Sequence, residues 1–207
     1  MHIFAFPARG LYAITDGPRT DFIDACAAAL KGGAAVLQYR DKTADRVRRR
    51  DEAVQLAILC AHHGVPLIVN DDVELAAQVG AAGVHLGEND ADITAARNRL
   101  GRSAIIGASC YDSLQRAREL AEAGADYLAF GAFFASPTKP NARHATVDLL
   151  RKAHALGKPL VAIGGITPDN AGSLIDAGAN FIAAISGVFA TTDVESAARR
   201  YANLFHK

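Results

Sequence analysis

Glu122-Ala-Gly-Ala-Asp-Tyr-Leu-Ala-Phe-Gly-Ala-Phe-Phe-Ala-Ser-Pro-Thr-Lys-Pro140 contains both kinds of junction from which this chain is built. Glu122 to Asp126 puts a glycine where a helix needs a left-handed cap, and its small residues let the chain turn tightly into a strand. Tyr127-Leu-Ala-Phe130 is short, continuous and apolar, the pattern of a strand buried on both faces. From Gly131 the composition changes to two hydroxyls, a lysine and two prolines, and no helical pattern starts until about Ala145. A connection of roughly a dozen residues is long between a strand and a helix, and such loops are usually functional or disordered. Ser136, Thr138 and Lys139 offer donors a few residues apart, as an anionic or phosphorylated substrate requires.

The cap phrase recurs as Lys31-Gly-Gly-Ala-Ala35, Val79-Gly-Ala-Ala-Gly83 and Asp176-Ala-Gly-Ala-Asn180. Short apolar runs alternate with helical patterns throughout. Strands are expected at Leu11–Thr15, Ala35–Tyr39, Leu67–Asn70, Gly83–Leu86, Ala104–Ala108, Tyr127–Phe130, Leu160–Ile163 and Phe181–Ile185. The helices between them are expected near Asp21–Lys31, Ala44–His62, Val73–Val79, Asp92–Leu100, Asp112–Ala123, Thr146–Leu156 and Asp169–Ala177, with Val194–Leu204 closing the chain. Eight β/α units without a break in composition predict one α/β domain over residues 1–207, a lean (β/α)₈ TIM barrel. The alternative, an open doubly wound sheet, should carry GxGxxG at its first strand-to-helix turn, and Thr15-Asp-Gly-Pro18 does not.

Lysine plus arginine equals aspartate plus glutamate at 22 each, so no net field favours nucleic acid or an anionic membrane. No apolar run reaches the length of a membrane span, and the N-terminus lacks the pattern of a secretory signal. Cys26, Cys60 and Cys110 are odd in number and show no metal spacing, which predicts reduced thiols in a cytoplasmic protein. The only marked charge cluster, Arg46–Arg50, falls in a helical pattern and reads as a solvated face. Assembly is not encoded legibly, and a homo-oligomer is compatible with the sequence.

In such a barrel the chemistry comes from the C-terminal ends of the strands. Gln38, Arg40 and Lys42 follow the second strand, Asn70, Asp71 and Asp72 the third, Glu88, Asn89 and Asp90 the fourth, and Ser109 the fifth. The sixth leads to Ser136, Thr138 and Lys139, the seventh to Gly164 and Gly165, the eighth to Ser186 and Gly187. Asp71 and Asp90 end neighbouring strands and could share Mg²⁺, which takes one or two carboxylates and fills its octahedron with water and phosphate oxygens. Against that, Asp71 or Asp72 could cap the third helix and Asp90 or Asp92 the fourth. Arg40, Lys42 and Lys139 form a cationic set suited to a di- or triphosphate. The glycine turns after strands seven and eight occupy the usual barrel position for a phosphate held by backbone N–H groups. Two anion centres are therefore expected, one beside a metal. Tyr12 and His85 lie inside strands and read as packed interior.

Seven stretches together resemble the thiamine phosphate synthase family: Leu11-Tyr-Ala-Ile-Thr-Asp16, Gln38-Tyr-Arg-Asp-Lys42, Val69-Asn-Asp71, Val84-His-Leu-Gly-Glu-Asn-Asp90, Ile106-Gly-Ala-Ser-Cys110, Gly131 to Lys139 and Ala162-Ile-Gly-Gly-Ile166. The resemblance runs in register over nearly the whole chain. It implies two small-molecule substrates, hydroxymethylpyrimidine diphosphate and hydroxyethylthiazole phosphate, joined to thiamine phosphate with release of pyrophosphate. It implies pyrimidine diphosphate contacts from Gln38, Tyr39, Arg40, Asp41, Lys42, Asn70, Ser109 and Lys139, with Arg40, Lys42 and Lys139 as the catalytic cations. Asp71 and Asp90 match the Mg²⁺ ligands, and Ser136, Pro137, Thr138, Gly165, Ile185 and Ser186 the thiazole phosphate contacts. The implied mechanism is dissociative, with the aminopyrimidine stabilising a carbocation that the thiazole nitrogen attacks. Glu88 departs from the glutamine common in the family, which puts an extra negative charge near the metal, and Ser136 departs from a common threonine. A related thiazole tautomerase would have no use for the diphosphate and metal set, and a silent binder of thiamine precursors would have little.

Overall fold

The computed structural model describes residues 4–90, 92–135 and 143–206. The strands are β1 (Gly10–Ile14), β2 (Ala34–Tyr39), β3 (Leu67–Asn70), β4 (Gly83–Leu86), β5 (Ile105–Tyr111), β6 (Tyr127–Phe130), β7 (Leu160–Ile163) and β8 (Phe181–Ala184). Each pairs in parallel with its sequence neighbour and β8 pairs with β1, so the sheet closes into a TIM barrel. Around it run α1 (Phe22–Lys31), α2 (Arg46–His63), α3 (Val73–Val79), α4 (Ile93–Leu100), α5 (Leu114–Glu122), α6 (Val147–Ala153), α7 (Gly172–Asp176), α8 (Ser186–Phe189) and α9 (Val194–Ala202).

Alternation along the strands divides the buried residues into two layers. Leu11, Ala13, Leu37 and Val69 face the helices, while Tyr12, Ile14, Val36, Ile68, Tyr127 and Phe181 fill the barrel interior. The Phe6 ring stacks on Tyr127 at 4.6 Å between centroids and covers the end from which the strands start. Gly107 on β5 makes room for that packing, because a Cβ there would lie 1.8 Å from Tyr127 Cζ.

The cap phrases behave as expected: Gly33, Gly80, Gly124 and Gly178 all have positive φ, although at the first of them Gly33 rather than Gly32 makes the left-handed turn. Differences from the sequence expectation include two boundaries and one short helix. β5 continues to Tyr111 through a register irregularity, since the ladder to β6 persists after the apolar run has ended. α7 starts only at Gly172, because Asn170 Oδ1 accepts from Thr167 N–H at 2.8 Å and organises 167–171 as a turn. The short α8 after β8 was not anticipated.

Candidate functional site

Asp72 Oδ1 accepts from Leu75 N–H at 2.9 Å and Asp92 Oδ1 from Ala95 N–H at 2.7 Å, so these two residues cap α3 and α4. Asp71 and Asp90 are left over from capping, and their carboxyls lie close enough to perturb one another. Asp71 sits at φ 63°, a left-handed backbone unusual outside glycine, directly after β3. Its N–H donates to the His85 carbonyl at 2.8 Å, and its Oδ2 accepts from Lys42 Nζ at 2.5 Å. Asp90 Oδ2 accepts from Gly87 N–H at 2.6 Å. Burial works against ionising Asp71, yet the Lys42 ammonium outweighs it and holds the carboxyl below its usual range. Asp90 is pushed upward, by burial and by the Asp71 carboxylate. The two carboxyls are thus pushed apart, Asp71 downward and Asp90 upward, as like charges in contact are. Such a pair fits a hard cation that brings its own water and phosphate oxygens. Among the described residues no cluster of three or more potential ligands exists, so protein donors alone would not fill a coordination shell.

A cleft of about 620 Å³ lies beside this pair, lined by Lys42, Asn70, Asp71, Arg49 and Arg99 among others. Arg40 reaches the mouth on a loop pinned to β1: its N–H donates to Thr15 Oγ1 at 2.8 Å, and Thr15 Oγ1 donates to its carbonyl at 3.1 Å. Gln38 and Ser109 end inside the barrel. Gln38 Nε2 donates to the Tyr12 hydroxyl at 2.9 Å, and Ser109 Oγ lies 2.9 Å from His85 Nε2. Two side chains from the same sequence motif do not join this group. The Tyr39 hydroxyl donates to Glu52 on α2 at 2.8 Å, and the buried Asp41 carboxylate pairs with Arg48 of α2 at 2.7 Å. They anchor the β2 loop to the helix layer, because the residues of β2 alternate between interior and helix faces.

Across the mouth, β7 runs into Gly164 and Gly165, with φ of 105° and 61°. The N–H groups of Gly164, Gly165, Ser186 and Gly187 find no acceptor among the described residues, which leaves a set of open donors at the ends of β7 and β8. Ile185 precedes α8 and accepts from Val188 N–H and Phe189 N–H, turning the chain so that Ser186 starts the helix. The long loop is held at its base: Phe133 and Phe134 N–H donate to the Ile163 and Gly164 carbonyls, and Ala132 and Ala145 bond across to Arg143 and Ala132. Ser136, Pro137, Thr138 and Lys139, expected to supply contacts from this loop, lie outside the described residues.

Glu88, expected to add charge near the carboxylate pair, is instead engaged by Arg143 at 2.6 Å. The Arg143 guanidinium lies 4.4 Å from the Tyr111 ring centroid, so the extra charge is neutralised at the rim. Cys110 is fully buried in β5 and burial pushes its thiol up to about 12, which leaves it no nucleophilic character. Sequence reasoning missed Tyr127, whose hydroxyl bonds both Tyr12 and His85. It lies in an apolar run, and only barrel closure reveals its partners.

A barrel that gathers cations, a carboxylate pair and open backbone amides at the C-terminal mouth is built as an enzyme for anionic small molecules. The sequence profile of the family described as thiamine monophosphate synthase matches residues 11–188. A thiamine-phosphate synthase of Xanthomonas campestris pv. campestris is 54% identical over 195 residues, covering 94% of both chains. One of Chromobacterium violaceum is 54% identical over 198 residues, 95% of this chain and 96% of that one. The solved thiamine phosphate pyrophosphorylase of Pyrococcus furiosus superposes with a TM-score of 0.87 at 35% identity, over 95% of each chain. The chain belongs to the thiamine-phosphate synthase family. Among the described residues no helix is long and apolar enough to cross a membrane.

Proposed function

We propose that the chain joins hydroxymethylpyrimidine diphosphate to hydroxyethylthiazole phosphate, forming thiamine phosphate and releasing pyrophosphate. The observation that carries this reading is the pairing of Asp71 with Asp90 beside Lys42, on the opposite side of the mouth from the open amides of Gly164, Gly165, Ser186 and Gly187. A diphosphate and a monophosphate call for two such separate centres. Asp71 and Asp90 would hold Mg²⁺, which when bound supplies positive charge to the diphosphate oxygens. Lys42, Arg40 and Lys139 add charge that grows in value as the pyrophosphate leaves. Asn70, Ser109 and Gln38 position the pyrimidine, and Gly165, Ile185 and Ser186 with Ser136, Pro137 and Thr138 position the thiazole phosphate. Bond formation between two oriented substrates needs positioning and charge stabilisation rather than a general base. That requirement suits a mouth beneath which the buried imidazole of His85 is kept neutral, its pKa lowered to about 4 by burial.

Incubating the protein with both substrates and Mg²⁺ tests the reading. Thiamine phosphate and pyrophosphate should appear in equal amounts. Consumption of neither substrate under these conditions would refute it.

A further inference from the structure

The turn after β7 offers open N–H groups, and what fixes their direction lies behind it. A trans peptide is planar, so each N–H points away from the carbonyl of the residue before it. Four consecutive carbonyls here, from Ile163 to Ile166, are each held by a donor. Phe133 N–H donates to the Ile163 carbonyl at 3.2 Å, and Phe134 N–H to that of Gly164 at 3.0 Å. Asn170 Nδ2 donates to the Gly165 carbonyl at 3.1 Å, and the Tyr201 hydroxyl to that of Ile166 at 2.9 Å. On the opposite edges of the first three peptides, the N–H groups of Gly164, Gly165 and Ile166 find no acceptor among the described residues. The fourth N–H, of Thr167, donates to Asn170 Oδ1 at 2.8 Å.

The partners fix every direction in this arrangement. A carbonyl only accepts and a backbone N–H only donates, so Asn170 must turn Nδ2 to Gly165 and Oδ1 to Thr167. The Tyr201 hydroxyl must likewise give its proton to Ile166, and burial, which raises its pKa, keeps that proton in place. Unclamped, a glycine pair turns its peptide planes easily, because both signs of φ are open to it. Such a turn would put a carbonyl oxygen where an N–H stood, and an edge that attracts anions would repel them. Phe133 and Phe134 contribute backbone donors, whereas Asn170 and Tyr201 act through their side chains. Tyr201 is buried on α9, and its hydroxyl also lies against Gly187, where a Cβ would collide with it. One side chain of the helix layer therefore bears on the glycine turns after both β7 and β8.

We propose that Asn170 and Tyr201 are positioning residues that clamp the Gly165–Ile166 and Ile166–Thr167 peptides, so that the N–H edge of the turn, not its carbonyl edge, faces a phosphate monoester. The inference rests on the functional reading above and adds the residues that give its monophosphate centre a fixed polarity. The substrate meets backbone amides, and the two side chains act through them. Dipoles held in advance in this way stabilise a charge without reorganising when it arrives.

Calorimetric titration with hydroxyethylthiazole phosphate and with the unphosphorylated alcohol, both with Mg²⁺ and pyrophosphate present, separates positioning from general support of the fold. Wild type should prefer the phosphate ester by at least about 100-fold, as several hydrogen bonds to a charged group give. Tyr201→Phe keeps the ring and should lower that preference about tenfold, and Asn170→Ala at least as much. Affinity for the alcohol should stay at the wild-type value in both variants. Melting curves identify a variant that does not fold, and the other then carries the test. The wild-type preference in either folded variant, or an equal loss for ester and alcohol, would overturn the inference and leave the functional reading intact. Equal affinity of wild type for ester and alcohol would remove the monophosphate centre and overturn both.

Discussion

Gly165 offers a perturbation whose cost can be worked from the structure. Its φ is 61°, and a Cβ built there would lie 2.6 Å from the Ala135 carbonyl oxygen and 2.8 Å from that of Phe134. Gly157, on an exposed turn, has φ 65° and nothing within 4 Å of its Cβ direction. Alanine at either position adopts a left-handed backbone at about 1–2 kcal/mol. At Gly165 the obstacles are backbone atoms that no rotamer change can move, adding an overpacking cost of about 1–3 kcal/mol. At roughly 2–4 °C per kcal/mol for a chain of this size, Gly165→Ala should melt about 2–12 °C below Gly157→Ala. Matching φ in the two variants cancels the intrinsic strain, so the difference in melting temperature isolates the contact with the long loop. Calorimetric titration of hydroxyethylthiazole phosphate supplies the functional half of the assay: affinity should fall markedly in Gly165→Ala and stay at the wild-type value in Gly157→Ala. Equal melting temperatures would show that the Phe134 and Ala135 carbonyls do not lie against Gly165, and the reasoning that ties this turn to the loop would fail.

Three further predictions concern the rest of the mouth. Mg²⁺ with pyrophosphate should raise the melting temperature of wild type but not of Asp90→Asn, and the variant without metal should be no less stable than wild type because a carboxyl pair under mutual repulsion has been relieved; a full metal-dependent rise in Asp90→Asn would remove Asp90 from the centre. Lys139→Ala should lower kcat about 100-fold, as expected for one charge donor to the departing pyrophosphate, and a rise in KM alone would reduce its role to uniform binding. The thiols of Cys26, Cys60 and Cys110, all buried with pKa values raised by desolvation, should resist a disulfide reagent until the protein unfolds; fast labelling of Cys110 in folded protein would contradict its burial.

The sequence by itself determined the eight strands, most helix boundaries and the four cap phrases, because these depend on near neighbours: apolar run length, a glycine at a left-handed position, a capping side chain three residues from its N–H. It also placed the candidate residues at strand ends, since in a closed parallel barrel that position follows from chain order alone. It left Asp71 and Asp90 undecided between capping and metal, and the structure gave both caps to Asp72 and Asp92. Only tertiary structure turned Tyr39 and Asp41 toward α2, took the charge of Glu88 to Arg143, and drew Gln38, Tyr12, Tyr127, His85 and Ser109 into one chain. Tyr12 and Tyr127 stand 115 positions apart. No local pattern encodes such a meeting, because which side chains face one another across a barrel is set by closure and register, and these are properties of all eight strands at once.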